Sequence, residues 1–169
     1  DFEYRTSRDS FLARRCEPCS LVYLDPRPAA TEFGRIYPPG YHAFAFNRET
    51  FGLVHRVRER LEAHRMLQAT RGLADDACIL DVGCGDGFHL DLLRRYGRPG
   101  WKLQGVDLDE RAVGRARERG LDVLHGALDD VGIAAASVDL VRRRRTEERM
   151  PGPSRLTRGG RRIMKPTGT

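Results

Sequence analysis

The 169-residue chain has no run approaching the roughly 18 to 20 consecutive apolar residues of a membrane span. It also has no charged start followed by an apolar stretch and a small-residue cleavage site, so no secretory signal is read. Cysteine is scarce: four residues at this length cannot build a disulfide scaffold, and Cys16 and Cys19 at C-x-x-C spacing point instead to metal or redox chemistry in a reducing, cytoplasmic setting. No internal repeat is found, which sets aside solenoids and propellers. At 40% hydrophobic and 32% charged residues, the composition suits one globular domain.

A net excess of charge is missing from most of the chain. The formal +6 raises the expectation of an anionic partner, but ten basic residues and only Glu147 and Glu148 lie between Arg142 and Thr169, a local +8. The other 141 residues hold 20 basic and 22 acidic groups, a net of −2. The basic character belongs to the last sixth of the chain and does not identify a substrate; nucleic acid is not expected as the native one.

Residues 1–45 are irregular, with the apolar run Leu21-Val22-Tyr23-Leu24 after the C-x-x-C and a turn at Asp25-Pro26-Arg27-Pro28. Between Asn47 and Gly72 the apolar positions Phe51, Val54, Val57, Leu61, Met66 and Leu67 recur at spacings of three and four. That pattern predicts an amphipathic helix with His55 and His64 on its polar side. The period then changes. A strand is predicted over 78–82, a helix over 88–96, a strand over 102–107 and a helix over 110–119 stopped by Gly120. Strands follow over 122–125 and from 138 to 141. This alternation predicts an α/β domain with a parallel sheet. The segment from Arg142 holds four consecutive arginines, three prolines and four glycines, shows neither period, and is expected to be disordered or poorly folded.

The chemistry-bearing segment is Leu80-Asp81-Val82-Gly83-Cys84-Gly85-Asp86-Gly87, a strand running into Gly-x-Gly-x-Gly and then a helix. Glycines allow a sharp turn and bring backbone N–H groups to a ligand, and the following helix offers its partly positive end. The dinucleotide fingerprint G-x-G-x-x-G is not met, because Phe88 stands at its third glycine position. Asp107 ends the next strand, where a carboxylate can accept hydrogen bonds from both hydroxyls of a ribose. Cys84 is read as a small packing residue rather than a nucleophile, since no His is placed to activate it.

These residues, with GVDLDERAVGRARERG at 105–120, LDVLHGALDD at 121–130 and SVDLV at 137–141, resemble the class I S-adenosylmethionine-dependent methyltransferases. The resemblance covers about residues 77–141. It implies a Rossmann-like, doubly wound, mostly parallel sheet with its C-terminal strands incomplete. It further implies that Asp81, Gly83 and Gly85 line the methionine end of the cofactor, within a cradle completed by Cys84 and Gly87. Asp107 would hold the ribose, Leu108 would pack on the adenine, and Leu128 with Asp129 would border the adenine amino edge. Around Cys16 and Cys19 and the Tyr37-Pro-Pro-Gly-Tyr41-His42 stretch, the chain is similar to the leader of a methyltransferase subgroup with two C-x-x-C pairs. Members of that subgroup often act on sugars and on cell-surface or secondary-metabolite precursors.

The organisation expected is a leader over 1–45, a linking helix over 46–72, a cofactor domain over 73–141 and an atypical basic tail over 142–169. The function expected is methyl transfer to a small molecule, with no general base nameable. An RNA-modifying or nucleic-acid-binding protein and an inactive fragment are the alternatives. One C-x-x-C supplies two of the four ligands of a structural zinc, so Cys16 and Cys19 are either half of a zinc site completed upstream of Asp1 or two unliganded thiols. The composition change at Arg142 carries the expectation of a reading-frame slip or truncated gene.

Overall fold

The computed structural model describes residues 12–26, 48–143 and 153–166. Tyr37, Tyr41, His42, Arg144 and Arg145 lie outside the described residues. The chain divides into two compact units, Asp1–Phe51 and Gly52–Thr169. In the first, strands β1 (Ala13–Arg15) and β2 (Val22–Leu24) form an antiparallel hairpin with Arg14 opposite Tyr23. The turn between them is closed by the Cys16 N–H on the Leu21 carbonyl and the Ser20 N–H on the Cys16 carbonyl, both at 2.8 Å.

Helix α1 (Arg48–Ala69) carries non-helical backbone at Gly52 (φ 39°, ψ −106°), where the two units divide. In the second unit, a four-stranded parallel sheet has the order β5-β4-β3-β6, with β3 (Cys78–Val82), β4 (Lys102–Asp107), β5 (Val123–His125) and β6 (Leu140–Arg143). Helices α2 (Phe88–Tyr96) and α3 (Glu110–Glu118) make the crossovers from β3 to β4 and from β4 to β5. A fourth helix, α4 (Pro153–Ile163), follows β6. Among the described residues no helix is long and apolar enough to cross a membrane.

Side chains alternate across β3. Ile79 packs with Ala63 and Met66 of α1, Leu92 and Leu93 of α2, and Trp101. Leu80 and Val82 pack on the opposite face with Val106, Leu128, Val138 and Ile163. Because both faces are covered, the strand reads as one nearly continuous apolar run rather than an alternation. Trp101 satisfies its indole N–H on the Ala74 carbonyl at 2.9 Å.

Three expectations are corrected. The face of α1 expected to be buried, Val54, Val57 and Leu61, is exposed, while His55, Glu59, Ala63 and Met66 are buried. Charge satisfaction explains this choice. Glu59 bonds Arg95 of α2 at 2.5 Å, and His55 Nδ1 lies 3.7 Å from the same carboxylate, with the His55 ring edge-on to Phe88. His55 therefore leaves the polar side, whereas His64 stays exposed.

The fourth strand does not stop at Arg142. It runs through Arg143 in register with β3, Asp81 opposite Arg142 and Val82 opposite Arg143. Nor is the whole segment after it without structure. Helix α4 places Ile163 fully inside the core, Met164 forms a parallel bridge with Val138, and Lys165 bonds Asp139 at 2.7 Å. Arg158, Arg161 and Arg162 of α4 are exposed, and they hide the apolar signal around Ile163 from a simple period count.

Candidate active site

Strand β3 delivers the chain into three glycines with left-handed backbone: Gly83 (φ 74°), Gly85 (φ 58°) and Gly87 (φ 76°). Side chains other than glycine rarely adopt this region. At Gly87 a Cβ would also stand 2.3 Å from a methyl group of Leu121, which would have to shift. The loop is tied to the neighbouring strand by the Gly83 N–H on the Val106 carbonyl at 2.7 Å, and α2 begins directly from Gly87.

Asp107, at the tip of β4, takes a backbone N–H on each oxygen. Gly85 N–H donates to Oδ2 at 2.7 Å and Asp109 N–H to Oδ1 at 2.9 Å. The carboxylate is thus held in one orientation beside the loop, with further lone pairs on both oxygens for a diol. Burial pushes its pKa above the ordinary value, opposed by the N–H groups of Asp109 and Gly85. Leu108, the next residue, is 45% exposed and offers an apolar surface to a planar ring. His125 packs its Nε2 on the Leu108 carbonyl at 3.1 Å.

The other expected residues are distributed differently. Cys84 is buried with Leu90, Val113, Ala116, Leu121 and Val123. Burial raises its pKa far above the ordinary value, and Asp107 and Asp81 add to the shift, so it is a neutral thiol that packs. Its Sγ and the Leu90 side chain would stand 2.6 and 2.7 Å from a Cβ at Gly105, which accounts for glycine in the middle of β4. Leu128 is 3% exposed and packs with Ile163, while Asp129 is exposed and lies beside Gly159 of α4.

Asp81 is 1% exposed and bonds Arg142, whose Nη1 lies 2.7 Å from Oδ1 and 2.9 Å from Oδ2. Sequence reasoning missed this arginine; its only signal is the pairing of β6 with β3, which no local period reveals. A cavity of about 580 Å³ lies against it, lined by Glu62, Met66, Leu93, Leu140, Arg142 and Arg143. Beside it, His89 Nε2 in the first turn of α2 stands 3.8 Å from Glu62.

A second missed element braces the loop. Asp91 of α2, 8% exposed, bonds Arg94 at 2.6 Å, Arg95 at 3.0 Å and Arg119 at 3.2 Å. Arg119 also donates to the Asp86 carbonyl at 3.0 Å, linking the end of α3 to the glycine loop.

In the hairpin unit, Cys19 is exposed and Cys16 half-buried. The Leu21 N–H and then the Cys16 thiol hold the Cys19 thiol below its ordinary pKa. No group of three or more His, Cys, Asp or Glu that could hold a metal occurs among the described residues. Two thiols do not complete a tetrahedral site, so the zinc expectation finds no support.

A family model described as "Methyltransferase domain" matches residues 80–169, including the segment after Val141 that departs from the pattern on sequence inspection. A Mycolicibacterium smegmatis protein named a probable S-adenosylmethionine-dependent methyltransferase is 38% identical over 65 residues, 37% of this chain and 24% of its own length. A Mycobacterium tuberculosis protein of the same description is 30% identical over 92 residues, 53% of this chain and 32% of that protein. The chain thus matches about a quarter to a third of the length of these relatives.

Among solved structures, an S-adenosylmethionine-dependent methyltransferase from Aquifex aeolicus superposes with a TM-score of 0.53 at 27% identity, covering 64% of this chain and 62% of that one. One from Thermotoga maritima gives 0.54 at 27%, covering 75% and 56%. The strand order, the glycine loop and these matches agree: the chain belongs to the methyltransferase-domain family and has the class I S-adenosylmethionine-dependent methyltransferase fold.

Proposed function

We propose that the protein transfers a methyl group from S-adenosylmethionine to a small molecule such as a sugar, a metabolite or a cell-surface precursor. The observation that carries the cofactor half of this reading is Asp107, whose two oxygens are fixed by loop N–H groups at a strand tip beside three left-handed glycines. The donor and acceptor set fits the ligand. Asp107 would accept the ribose hydroxyls and half-exposed Leu108 would cover the adenine. Gly83, Gly85 and the start of α2 would face the methionine end, with exposed Asp129 toward the adenine edge.

Bound S-adenosylmethionine supplies an electrophilic methyl group that already carries its leaving group, so displacement by an acceptor lone pair needs little from the protein beyond alignment. The chain's own part is to grip the nucleoside, orient the methionine end and shield the reacting centre from water. A small acceptor is supported by the cavity of about 580 Å³ beside Arg142, a size that suits metabolites. The body outside the tail carries a net charge of −2, which gives a polyanion no net attraction there. A reducing, cytoplasmic setting belongs to the same reading.

Calorimetric titration with S-adenosylmethionine and its demethylated product tests the proposal. The expected result is saturable binding of both, weakened at least about tenfold by Asp107→Ala through loss of charged hydrogen bonds to the ribose. Absence of binding to the intact chain would overturn it. Retained nucleic-acid binding after removal of residues 142–169 would favour an RNA-directed activity instead.

A further inference from the structure

We propose that Arg142 is the residue that recognises the carboxylate at the methionine end of the cofactor, making the site selective for ligands that keep that carboxylate. The inference rests on the cofactor reading above and concerns a residue outside the glycine loop.

Asp81 sits near the carboxyl end of β3, two residues before the loop begins at Gly83. An acid there is positioned to attract the ligand's ammonium group, but in this chain its charge is already answered. Its side chain is 2% exposed, and Arg142 Nη1 lies within 2.9 Å of both its oxygens. The register of β6 on β3 puts the two residues directly opposite each other, so the pair is built into the sheet.

Arg142 has donors to spare. A guanidinium carries five N–H groups in a planar fork, and among the described residues those of Arg142 bond Asp81 alone. The side chain is 19% exposed and borders the cavity of about 580 Å³. The cavity is also lined by Arg65, Arg143 and Glu62, with Arg65 Nη1 3.1 Å from Glu62 Oε1, so the charged groups around Arg142 are mostly basic. A guanidinium held on one edge by a buried carboxylate loses little freedom when its other edge binds a second carboxylate in the two-pronged manner arginine favours. The same geometry gives Asp81 a different task from the one its position suggests: it positions Arg142.

The test compares S-adenosylmethionine with decarboxylated S-adenosylmethionine, which keeps the adenosine and sulfonium but lacks the carboxylate, and uses adenosine as a third probe. Binding is measured by calorimetry, and by NMR titration for the weaker ligands. The wild-type chain is expected to prefer the carboxylated ligand by about tenfold or more. Arg142→Met is expected to bring that ratio close to one while leaving adenosine binding unchanged, and Arg142→Lys to keep part of the preference. The charge-free pair Asp81→Asn/Arg142→Gln guards against unfolding from a lone buried charge and is expected to lose the preference as well.

A wild-type ratio near one would overturn the inference. So would a ratio unchanged in the variants, or a parallel fall in all three ligands, which marks a merely structural arginine. Failure of the wild type to bind even adenosine would overturn the cofactor reading itself, and this inference with it.

Discussion

Replacing Ile163 by alanine is the most direct test of whether the basic C-terminal segment is part of the folded domain. Ile163 is fully buried and packs against Leu80, Val82, Val106, Leu128 and Val138, the side of the sheet opposite α1 and α2. The substitution removes three carbons from this cluster, about 2.5 kcal/mol at ~0.8 kcal/mol per buried methylene. A cavity contribution adds to that, since the flanking strands are held by β-ladders on both sides and can collapse only partly. The total should fall near 3 to 4 kcal/mol, within the roughly 2 to 5 kcal/mol seen for such truncations. Against a total stability of about 5 to 15 kcal/mol this is a large fraction.

Urea unfolding followed by circular dichroism reads it as a lowered midpoint with an unchanged slope. Leu61→Ala, at a position 55% exposed, is the matched control and should change stability by no more than about 0.5 kcal/mol. A loss below about 1 kcal/mol for Ile163→Ala would refute the argument, because it would mean that α4 adds no core to the sheet.

Three further outcomes follow from the site. Gly105→Ala forces a methyl group against Cys84 Sγ and Leu90 and should cost about 1 to 3 kcal/mol by overpacking, partly recovered in the double variant with Cys84→Ala; chemical denaturation checks both. Because burial raises the pKa of Asp107, binding of the demethylated cofactor should weaken as pH falls through a midpoint above the ordinary aspartate value of about 3.9. The ligand-free protein should respond oppositely: Asp107's contribution is most favourable below its unfolded-state pKa and is lost as pH rises through the raised folded-state value. Opposite slopes in binding and in thermal-shift titrations check this sign. Asp91→Ala leaves Arg94, Arg95 and Arg119 without their shared carboxylate and should destabilise the domain by about 3 kcal/mol, read by thermal unfolding at neutral pH.

The sheet and its crossovers were legible because each element carries its own local signal. Cys78–Val82 and Lys102–Asp107 stand out as apolar runs, α2 and α3 show helical spacing, and Gly120, in left-handed conformation (φ 72°), ends α3 where expected. The cradle was legible for the same reason, since its three glycines are adjacent in sequence and the structure gives all three positive φ. What depends on contacts between distant residues was not. Helix α1 was assigned the wrong face because Val54, Val57 and Leu61 outweigh His55 and Glu59 in any hydrophobic count, although Arg95, 36 residues beyond Glu59, makes the acid the better buried residue. Arg142 read as the start of a foreign tail because its charge is matched only by Asp81, 61 residues earlier. The helix after it was masked by arginines that leave Leu156, Ile163 and Met164 as scattered apolar residues in a basic segment.

Among the described residues β6 forms one margin of the sheet, and half of its four residues are arginine. A margin strand presents unpaired backbone groups to any other strand that approaches, which is how soluble sheets come to polymerise. Two copies of this chain meeting edge to edge along β6 would bring four guanidinium groups together in a small volume. The composition that obscures the family likeness therefore also acts as a gatekeeper, making self-association along this margin electrostatically unfavourable and most sensitive to salt.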